Sequence, residues 1–251
     1  MRRIMFGLAL LAASGSTLLT AEEGKAVMDP QADRALHAMS DLLATAKAFR
    51  VRVAVVEDEM SAKGELLEVS RDTEVLLRRP DALFVRTQGP DKQRTLWYKG
   101  KTLTVLDSKR NEYGAIETPG TIDEMLDFLF EKYEITAPLA DLLFQNVYAD
   151  LVENVQTGTY VGRDPVAGRL CHHLLFTQEN VDWQIWIDAG EKPLPLKVVI
   201  TYKQEPDCPE YSARLNDWDL SPTLPDTAFD FSAPAGAKAV DMKELSGEKG
   251  Q

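Results

Sequence analysis

The hydrophobic and polar positions of the chain alternate with a period of two through much of the sequence. Between residues 49 and 55, apolar side chains fall on one face of an extended chain and mainly polar ones on the other. This alternation is typical of a strand with one buried face. It recurs, with interruptions, at 74–78, 82–87, 94–98 and 101–106. Because turn residues such as Pro80-Asp81 and Gly89-Pro90 separate these runs, the pattern predicts an antiparallel meander.

The same pattern returns after residue 152 and continues towards the C-terminus. It predicts further strands at 157–162, 169–177, 183–188, 194–203 and 211–220. The two groups together make roughly ten strands, and no linker of different composition divides them. We therefore expect one mainly β domain of the α+β class, spanning residues 22–251.

A helical period appears before the first strand and again between the two groups of strands. Asp29-Pro30 is typical of a helix start, and apolar residues at helical spacing follow it, so a helix is predicted over 30–47. Thr121 and Glu124 fit a capping box at the start of an inserted helix. A second inserted helix is predicted from near Pro138, with the apolar residues Leu139, Leu142, Leu143 and Val147.

The predicted sheet must cover its apolar face, and only three helices are available to do so. The sheet could curl over the helices into a filled core. It could also curl incompletely and leave an apolar cavity for a ligand. Periodicity does not distinguish the two arrangements, although apolar stripes at this spacing are usually core.

The first 21 residues are typical of a secretory signal peptide. Arg2 and Arg3 precede an apolar run of about ten residues, after which small residues lead to Ala21. The run is shorter than the roughly 20 apolar residues that cross a bilayer. We expect cleavage after Ala21 and export of the remaining chain.

The charge of the chain argues against several partners. The protein has 251 residues, of which 44% are hydrophobic and 27% charged, and its formal net charge of −12 becomes −14 once Arg2 and Arg3 are removed with the leader. Such an acidic chain lacks the basic surface that nucleic acid requires, and anionic lipid head groups should repel it. We expect a monomer with no nucleic-acid partner and no stable membrane insertion.

The sequence contains no catalytic signature and few groups for acid–base chemistry. It lacks a nucleophile elbow, a phosphate loop and a His-Glu-x-x-His motif, and its only histidines are His37, His172 and His173. On a strand only Cys171 and His173 would share a face, with no obvious third metal ligand. We expect no catalytic residues, no metal site and no cofactor.

Two cysteines in an exported chain usually form a disulfide. Here the predicted meander of 169–177, 183–188 and 194–203 places Cys171 at the bottom of its first strand and Cys208 beyond the top of its third, about 20 Å apart, whereas a disulfide needs α-carbons within about 7 Å. We expect unpaired thiols.

Three segments resemble the LolA-like periplasmic lipoprotein carriers. Val75-Leu-Leu-Arg-Arg79-Pro80 followed by Leu83-Phe84-Val85 resembles the family's strand, Arg-Pro turn and strand. Tyr98-Lys-Gly100-Lys-Thr-Leu103 resembles its Gly-Lys-Thr-Leu hairpin. The segment 229–240 resembles its terminal Phe-x-Phe-x-x-Pro-x-Gly-x-x-Val strand. Their order and their placement around the helical insert match over most of the mature chain.

Another stretch departs from the classical carriers. Cys171-His-His-Leu174, then 182–187, then Pro193-Leu-Pro-Leu-Lys197 resemble the uncharacterised predicted periplasmic proteins of the same superfamily. The chain therefore resembles that subfamily most closely. The resemblance does not by itself imply that the ligand is a lipoprotein.

The resemblance implies a periplasmic, curved antiparallel half-barrel with an N-terminal helix and an inserted helical lid. It favours the open cavity over the filled core. It also implies that Arg79, which matches the arginine of the carriers' Arg-Pro pair, ties the sheet to the lid. The expected cavity residues are Val51, Val53, Val55, Val75, Leu77, Leu103, Val105, Met125, Leu129, Trp183, Ile185 and Val198.

The function expected from the sequence is non-enzymatic binding of an apolar ligand, such as an acyl chain of a lipid or lipoprotein, between sheet and lid. The alternative is an envelope sensor or scaffold that binds another protein through the same sheet. A ligand that co-purifies with the protein would distinguish them.

Overall fold

The computed structural model describes residues 27–133, 135 and 137–246. The predicted signal peptide, residues 1–21, and its cleavage site after Ala21 lie outside the described residues. In the described part of the chain, no helix is long and apolar enough to span a membrane.

Within the residues that the structure describes, thirteen strands form one continuous sheet. They are β1 (Val27–Met28), β2 (Ala48–Met60), β3 (Leu66–Arg78), β4 (Ala82–Gln88), β5 (Gln93–Lys99), β6 (Thr102–Asp107), β7 (Glu112–Glu117), β8 (Thr157–Val166), β9 (Arg169–Thr177), β10 (Val181–Asp188), β11 (Pro195–Tyr202), β12 (Glu210–Asp219) and β13 (Lys238–Ala239). Their spatial order is β1-β8-β9-β10-β11-β12-β2-β3-β4-β5-β6-β7-β13. The sheet is curved and unclosed, so the predicted half-barrel and the mainly β class are confirmed.

The pairing of β12 with β2 joins the two groups of strands that the sequence predicted. All neighbouring strands are antiparallel except the two-residue strands β1 and β13, which pair in parallel with β8 and β7. These two strands and β7 are additions to the predicted set. In β7, a Cβ on Gly114 would lie only 3.2 Å from the α-carbon of Met242, so this position accommodates a close approach of the C-terminal helix.

The helices are α1 (Pro30–Thr45), α2 (Ile122–Tyr133), α3 (Val147–Val152) and α4 (Met242–Ser246). The Asp29 carboxylate accepts a hydrogen bond from the Gln31 amide at 2.7 Å and caps α1, as expected from Asp29-Pro30. The helix ends two residues earlier than predicted because Ala46 is extended, with ψ 116°. At the start of α2, the Thr121 hydroxyl accepts from the Glu124 amide at 3.2 Å, which is one half of the predicted capping box, while the Glu124 carboxylate accepts from the Thr121 hydroxyl at 3.0 Å.

The second inserted helix was predicted wrongly as one element. It consists of a 3₁₀ turn, Ala140–Leu143, followed by α3. Leu139 has a left-handed φ of 70° and Phe144 is extended, so the backbone leaves the helical region on both sides of the turn. Asn146 then starts α3 by accepting from the Ala149 amide at 3.4 Å.

Helices cover the two halves of the concave face differently. Helix α1 packs on β8, β10 and α3, and its inward side chains are fully buried: Ala32, Leu36, Met39 and Leu43. The C-terminal half of the sheet is therefore a filled core. Over the N-terminal half lies the lid, which we define as α2 and residues 137–144.

The two cysteines are unpaired, as predicted. Cys171 is buried on β9, whereas Cys208 is exposed in the loop between β11 and β12. Burial raises the pKa of the Cys171 thiol above its ordinary value, which favours the neutral, unreactive form.

Candidate ligand-binding site

A cavity of about 410 Å³ lies between the lid and the N-terminal half of the sheet. Its floor is formed by β2 to β6 with parts of β12, and its roof by the lid together with Met242 and Leu245 of α4. The volume falls within the range of pockets that hold small-molecule ligands, which is about 300–1,000 Å³. Most of the wall is aliphatic.

Cross-strand neighbours arrange the cavity floor in rows that run across β2, β3, β4, β5 and β6. The first row is Phe49, Leu77, Leu83, Tyr98 and Leu103, of which Phe49, Leu83 and Leu103 reach the cavity wall. The second row is Val51, Val75, Val85, Leu96 and Val105. The third row is Val53, Thr73, Thr87, Arg94 and Asp107. Polarity therefore increases from the first row to the third, and the cavity has an apolar end and a polar end.

Leucines supply the roof above these rows. Leu126 and Leu129 reach the cavity from α2, and Leu139, Leu142 and Leu143 reach it from the 3₁₀ segment. The helical spacing of α2 turns its apolar side towards the sheet, while Lys132 remains on its other side. An apolar ligand would thus contact aliphatic groups above and below.

Arg79 links the sheet to the lid. It follows the last residue of β3, and its Nη1 and Nη2 atoms donate hydrogen bonds to the carbonyl oxygens of Leu143 at 2.8 Å and Phe144 at 2.9 Å. Burial lowers the pKa of Arg79 from its ordinary value, and Asp123 opposes that shift. The arginine that the resemblance singled out therefore contacts the lid directly.

Two other hydrogen bonds hold the same lid segment. The Gln145 amide donates to the Asp123 carboxylate of α2 at 3.0 Å. The Gln145 side-chain nitrogen donates to the Ala44 carbonyl oxygen of α1 at 2.8 Å. Residues 142–145 therefore combine these directional bonds with the buried side chains of Leu142 and Phe144.

A paired arginine lies at the polar end of the cavity. Arg71 on β3 is 6% exposed and donates to Glu57 at 2.6 Å and to both oxygens of Asp91 at 3.0 and 2.7 Å, and it also pairs with Glu59. Hydrogen bonding to Arg71 lowers the pKa of Asp91, and the same bonds raise that of Arg71. The network fastens the β4–β5 turn to the long β2–β3 hairpin.

The predicted cavity residues separate into two sets. On the cavity wall lie Val51, Val53, Val55, Val75, Leu103, Val105 and Leu129. The packed core instead contains Leu77, Met125, Trp183, Ile185 and Val198. The prediction that these five residues line the cavity is therefore wrong.

Packing against the helices explains the five corrections. Strands β10 and β11 lie in the half of the sheet that α1 covers, which encloses Trp183, Ile185 and Val198. Leu77 and Met125 are fully buried at the end of the sheet where α2 begins. There the Ile122 amide donates to the Pro80 carbonyl oxygen at 2.8 Å and holds the first turn of α2 close to the strands.

Several wall residues were not identified from the sequence. Val85 and Leu96 lie in the middle row, and Thr73 and Arg94 occupy the third row. The strand register would have revealed three of them, since Val85, Leu96 and Thr73 stand directly opposite the predicted cavity residues Val75, Val105 and Val53.

The histidines near Cys171 have other partners. The His172 Nδ1 atom lies 3.0 Å from the Tyr160 hydroxyl, and the His173 ring stacks on Trp186 at 4.1 Å between centroids. Within the described residues, no three His, Cys, Asp or Glu side chains are grouped closely enough to hold a metal ion.

The curved open sheet, its lid and the cavity between them define an open β half-barrel with a helical lid. A family model described as "Predicted periplasmic protein (DUF2092)" matches residues 32–243. The chain therefore belongs to this family of predicted periplasmic proteins, which confirms the expected localisation in the periplasm. No curated protein matches the chain.

Solved structures are similar to the chain at low identity. An uncharacterized conserved protein from Thermus thermophilus is 10% identical with a TM-score of 0.49, over 84% of this chain and 99% of that one. Lipoprotein LppX from Mycobacterium tuberculosis is 13% identical with a TM-score of 0.48, over 78% and 98%. A LolA superfamily protein from Nitrosomonas europaea is 13% identical with a TM-score of 0.37, over 80% and 97%. At such identities the likeness concerns the fold alone.

Proposed function

We propose that this protein is a non-enzymatic periplasmic binding protein that holds an apolar ligand, such as an acyl chain of a lipid or lipoprotein, between its sheet and its lid. The observation that carries the proposal is the aliphatic cavity of about 410 Å³ in the N-terminal half of a sheet whose other half is filled. Burial of each CH₂ group of such a chain stabilises the complex by about 0.8 kcal/mol.

Release of the ligand would follow from movement of the lid. Residues 143–145 are bonded to Arg79, Asp123 and the Ala44 carbonyl, and opening of the lid would break these bonds and expose the buried side chains of Leu142 and Phe144. The left-handed Leu139 and the extended Phe144 flank the 3₁₀ turn and are the natural points for the backbone to pivot. Arg79 would then act as the latch of the lid.

The negative charge of the chain bears on how the ligand arrives. Anionic head groups repel a surface of this net charge, so loading from the membrane surface alone is disfavoured. We infer that a partner protein hands the ligand to this one, which acts as a soluble monomer.

Ligand extraction tests the proposal. The protein is purified from the periplasm without detergent, extracted with organic solvent, and the extract is analysed by mass spectrometry. We expect an apolar molecule with an alkyl chain in near-stoichiometric amount, and uptake of the neutral fluorophore N-phenyl-1-naphthylamine after the extracted protein is refolded.

A protein that carries no extractable ligand and takes up no fluorophore would contradict the proposal. That result would favour the alternative, a sensor or scaffold that binds another protein through the same sheet. A periplasmic extract from cells lacking this protein, carried through the same purification, controls for lipids that merely contaminate the preparation.

A further inference from the structure

The polar end of the cavity contains two cations whose side chains donate no hydrogen bond within the described part of the chain. The charged residues on the cavity wall are Arg71, Lys92, Arg94 and Glu57. Of these, Glu57 accepts a hydrogen bond from Arg71 at 2.6 Å. Lys92 and Arg94 are therefore the wall cations whose side chains donate no hydrogen bond within the described residues, and Arg94 forms only a long ion pair, 3.7 Å from its Nε atom to Oδ2 of Asp107.

Arg94 is the more enclosed of these two cations. It lies on β5 in the third row of the floor, between Thr87 on β4 and Asp107 on β6. Its Nε atom is buried and has no hydrogen-bond partner, because the nearest carboxylate oxygen, Oδ2 of Asp107, is 3.7 Å away. A buried donor without a partner is costly unless an acceptor fills the site.

The Asp107 carboxylate forms hydrogen bonds within the β6–β7 turn. Its Oδ1 atom accepts hydrogen bonds from the backbone amides of Lys109 at 3.0 Å and Arg110 at 3.1 Å. These bonds hold the carboxylate at the β6–β7 turn, where its Oδ2 atom is 3.7 Å from Arg94 Nε. The remaining donors of the Arg94 guanidinium have no hydrogen bond to any residue in the described part of the chain.

Lys92 and two hydroxyl groups complete the polar end. Lys92 is exposed in the β4–β5 turn, and its ammonium forms no ion pair with any described residue. The hydroxyl groups of Thr73 and Thr87 lie 3.0 Å from each other on the floor beside Arg94. One hydroxyl can donate to the other and the second remains free to donate to a ligand.

We propose that the polar end binds the anionic head group of a single-chain amphiphile, a carboxylate or a phosphate, while its alkyl chain lies in the apolar rows. Arg94 and Lys92 supply the positive charge, and a hydroxyl of the Thr73–Thr87 pair donates a hydrogen bond. Arginine suits this role because its guanidinium matches the geometry of carboxylates and phosphates. The inference rests on the proposed function, since it places the head group of the ligand that the cavity holds.

The experiment compares amphiphiles that differ only in their head group. Dodecanoate, dodecyl phosphate, dodecanol and dodecyltrimethylammonium, each below its micellar concentration, displace N-phenyl-1-naphthylamine from the purified protein at neutral pH and low salt. We expect both anions to bind at least about tenfold more tightly than the alcohol and the cation, the increment of a charge-assisted hydrogen bond. Inorganic phosphate and acetate, titrated by calorimetry, should bind far more weakly than the anions that have a chain.

Variants of Arg94 test the assignment. Arg94→Gln should remove most of the preference for both anions over dodecanol. Arg94→Lys should retain the preference because it keeps the charge. The matched control is Arg86→Gln, since Arg86 lies one strand away on the convex face, paired with Glu74 at 2.6 Å. Lys92→Gln, at an exposed turn, should weaken the anions alone.

Equal affinities for dodecanoate and dodecanol, or a preference for dodecyltrimethylammonium, would overturn the head-group site and leave the proposed function intact. Tight binding of inorganic phosphate without a chain would show a free-anion site and would also overturn it. If N-phenyl-1-naphthylamine and all four amphiphiles fail to bind, both the inference and the proposed function are wrong.

Discussion

Replacing Val85 with tryptophan is expected to abolish the binding of apolar ligands while the protein stays folded. Val85 stands at the centre of the second row, between Val75 on β3 and Leu96 on β5, and its half-buried side chain faces the cavity. An indole ring at this position would occupy the space that an alkyl chain needs. We expect at least a tenfold loss of affinity for N-phenyl-1-naphthylamine in a fluorescence titration, roughly the loss of two buried CH₂ groups.

The melting temperature of Val85→Trp should change little because the ring enters an existing cavity and displaces no packed neighbour. Val56→Trp is the matched control. Val56 lies on the opposite face of β2, between Ser70 and Ser212, and is half-buried like Val85. Unchanged affinity in Val85→Trp, or equal losses in both variants, would show that the ligand does not occupy the cavity.

Replacing Arg79 with leucine is expected to speed ligand release. The substitution removes both hydrogen bonds to the Leu143 and Phe144 carbonyl oxygens, which then remain without their donors. A buried acceptor left unpaired costs about 1–3 kcal/mol, so the closed lid loses stability relative to the open one. Stopped-flow dilution of the protein with bound N-phenyl-1-naphthylamine should show an off-rate at least about tenfold higher.

Arg78→Leu separates this effect from a general loss of positive charge. Arg78 is the preceding residue, but its guanidinium pairs with Asp226 at 2.7 Å and has no bond to the lid. Its off-rate should equal that of the wild type. Identical off-rates in Arg79→Leu and the wild type would remove Arg79 from the mechanism, because the lid would then be held by other contacts.

The ten strands that the sequence predicted are all present. They could be predicted because each has one buried face, which produces an alternation of apolar and polar residues with a period of two. The three additional strands lack that signal. Strands β1 and β13 are two residues long, and β7 contains Gly114 where an inward side chain would otherwise stand. The inserted helix was predicted as one element because Leu139, Leu142 and Leu143 have helical spacing, although backbone conformations on either side interrupt it.

Which half of the sheet holds the cavity could not be predicted from the sequence. Trp183 on β10 and Val75 on β3 show the same inward alternation, and only the packing of α1 across β8 and β10 distinguishes them. The third, polar row of the cavity floor was not predicted from the sequence for another reason. Thr73 and Arg94 are polar residues at inward positions, so in sequence they mark the ends of an apolar run, whereas the strand register places them together on the cavity floor.

The tryptophans allow the position of the ligand to be measured. Trp218 is on the cavity wall, 5.3 Å from Phe49 between ring centroids. Trp183 is 1% exposed in the filled half of the sheet and stacks on Phe176 at 4.1 Å. A fatty acid with a dibrominated chain quenches indole fluorescence only on contact, so each ring reports on its own half of the molecule.

The most direct test of the account is therefore the quenching of tryptophan fluorescence by a dibrominated fatty acid in three proteins. We expect saturable quenching in the wild type, nearly complete loss of that quenching in Trp218→Phe, and its retention in Trp183→Phe. Quenching that persists in Trp218→Phe and disappears in Trp183→Phe would place the chain under α1 and contradict the assignment of the cavity. Absence of saturable quenching in the wild type would contradict binding of an alkyl chain altogether.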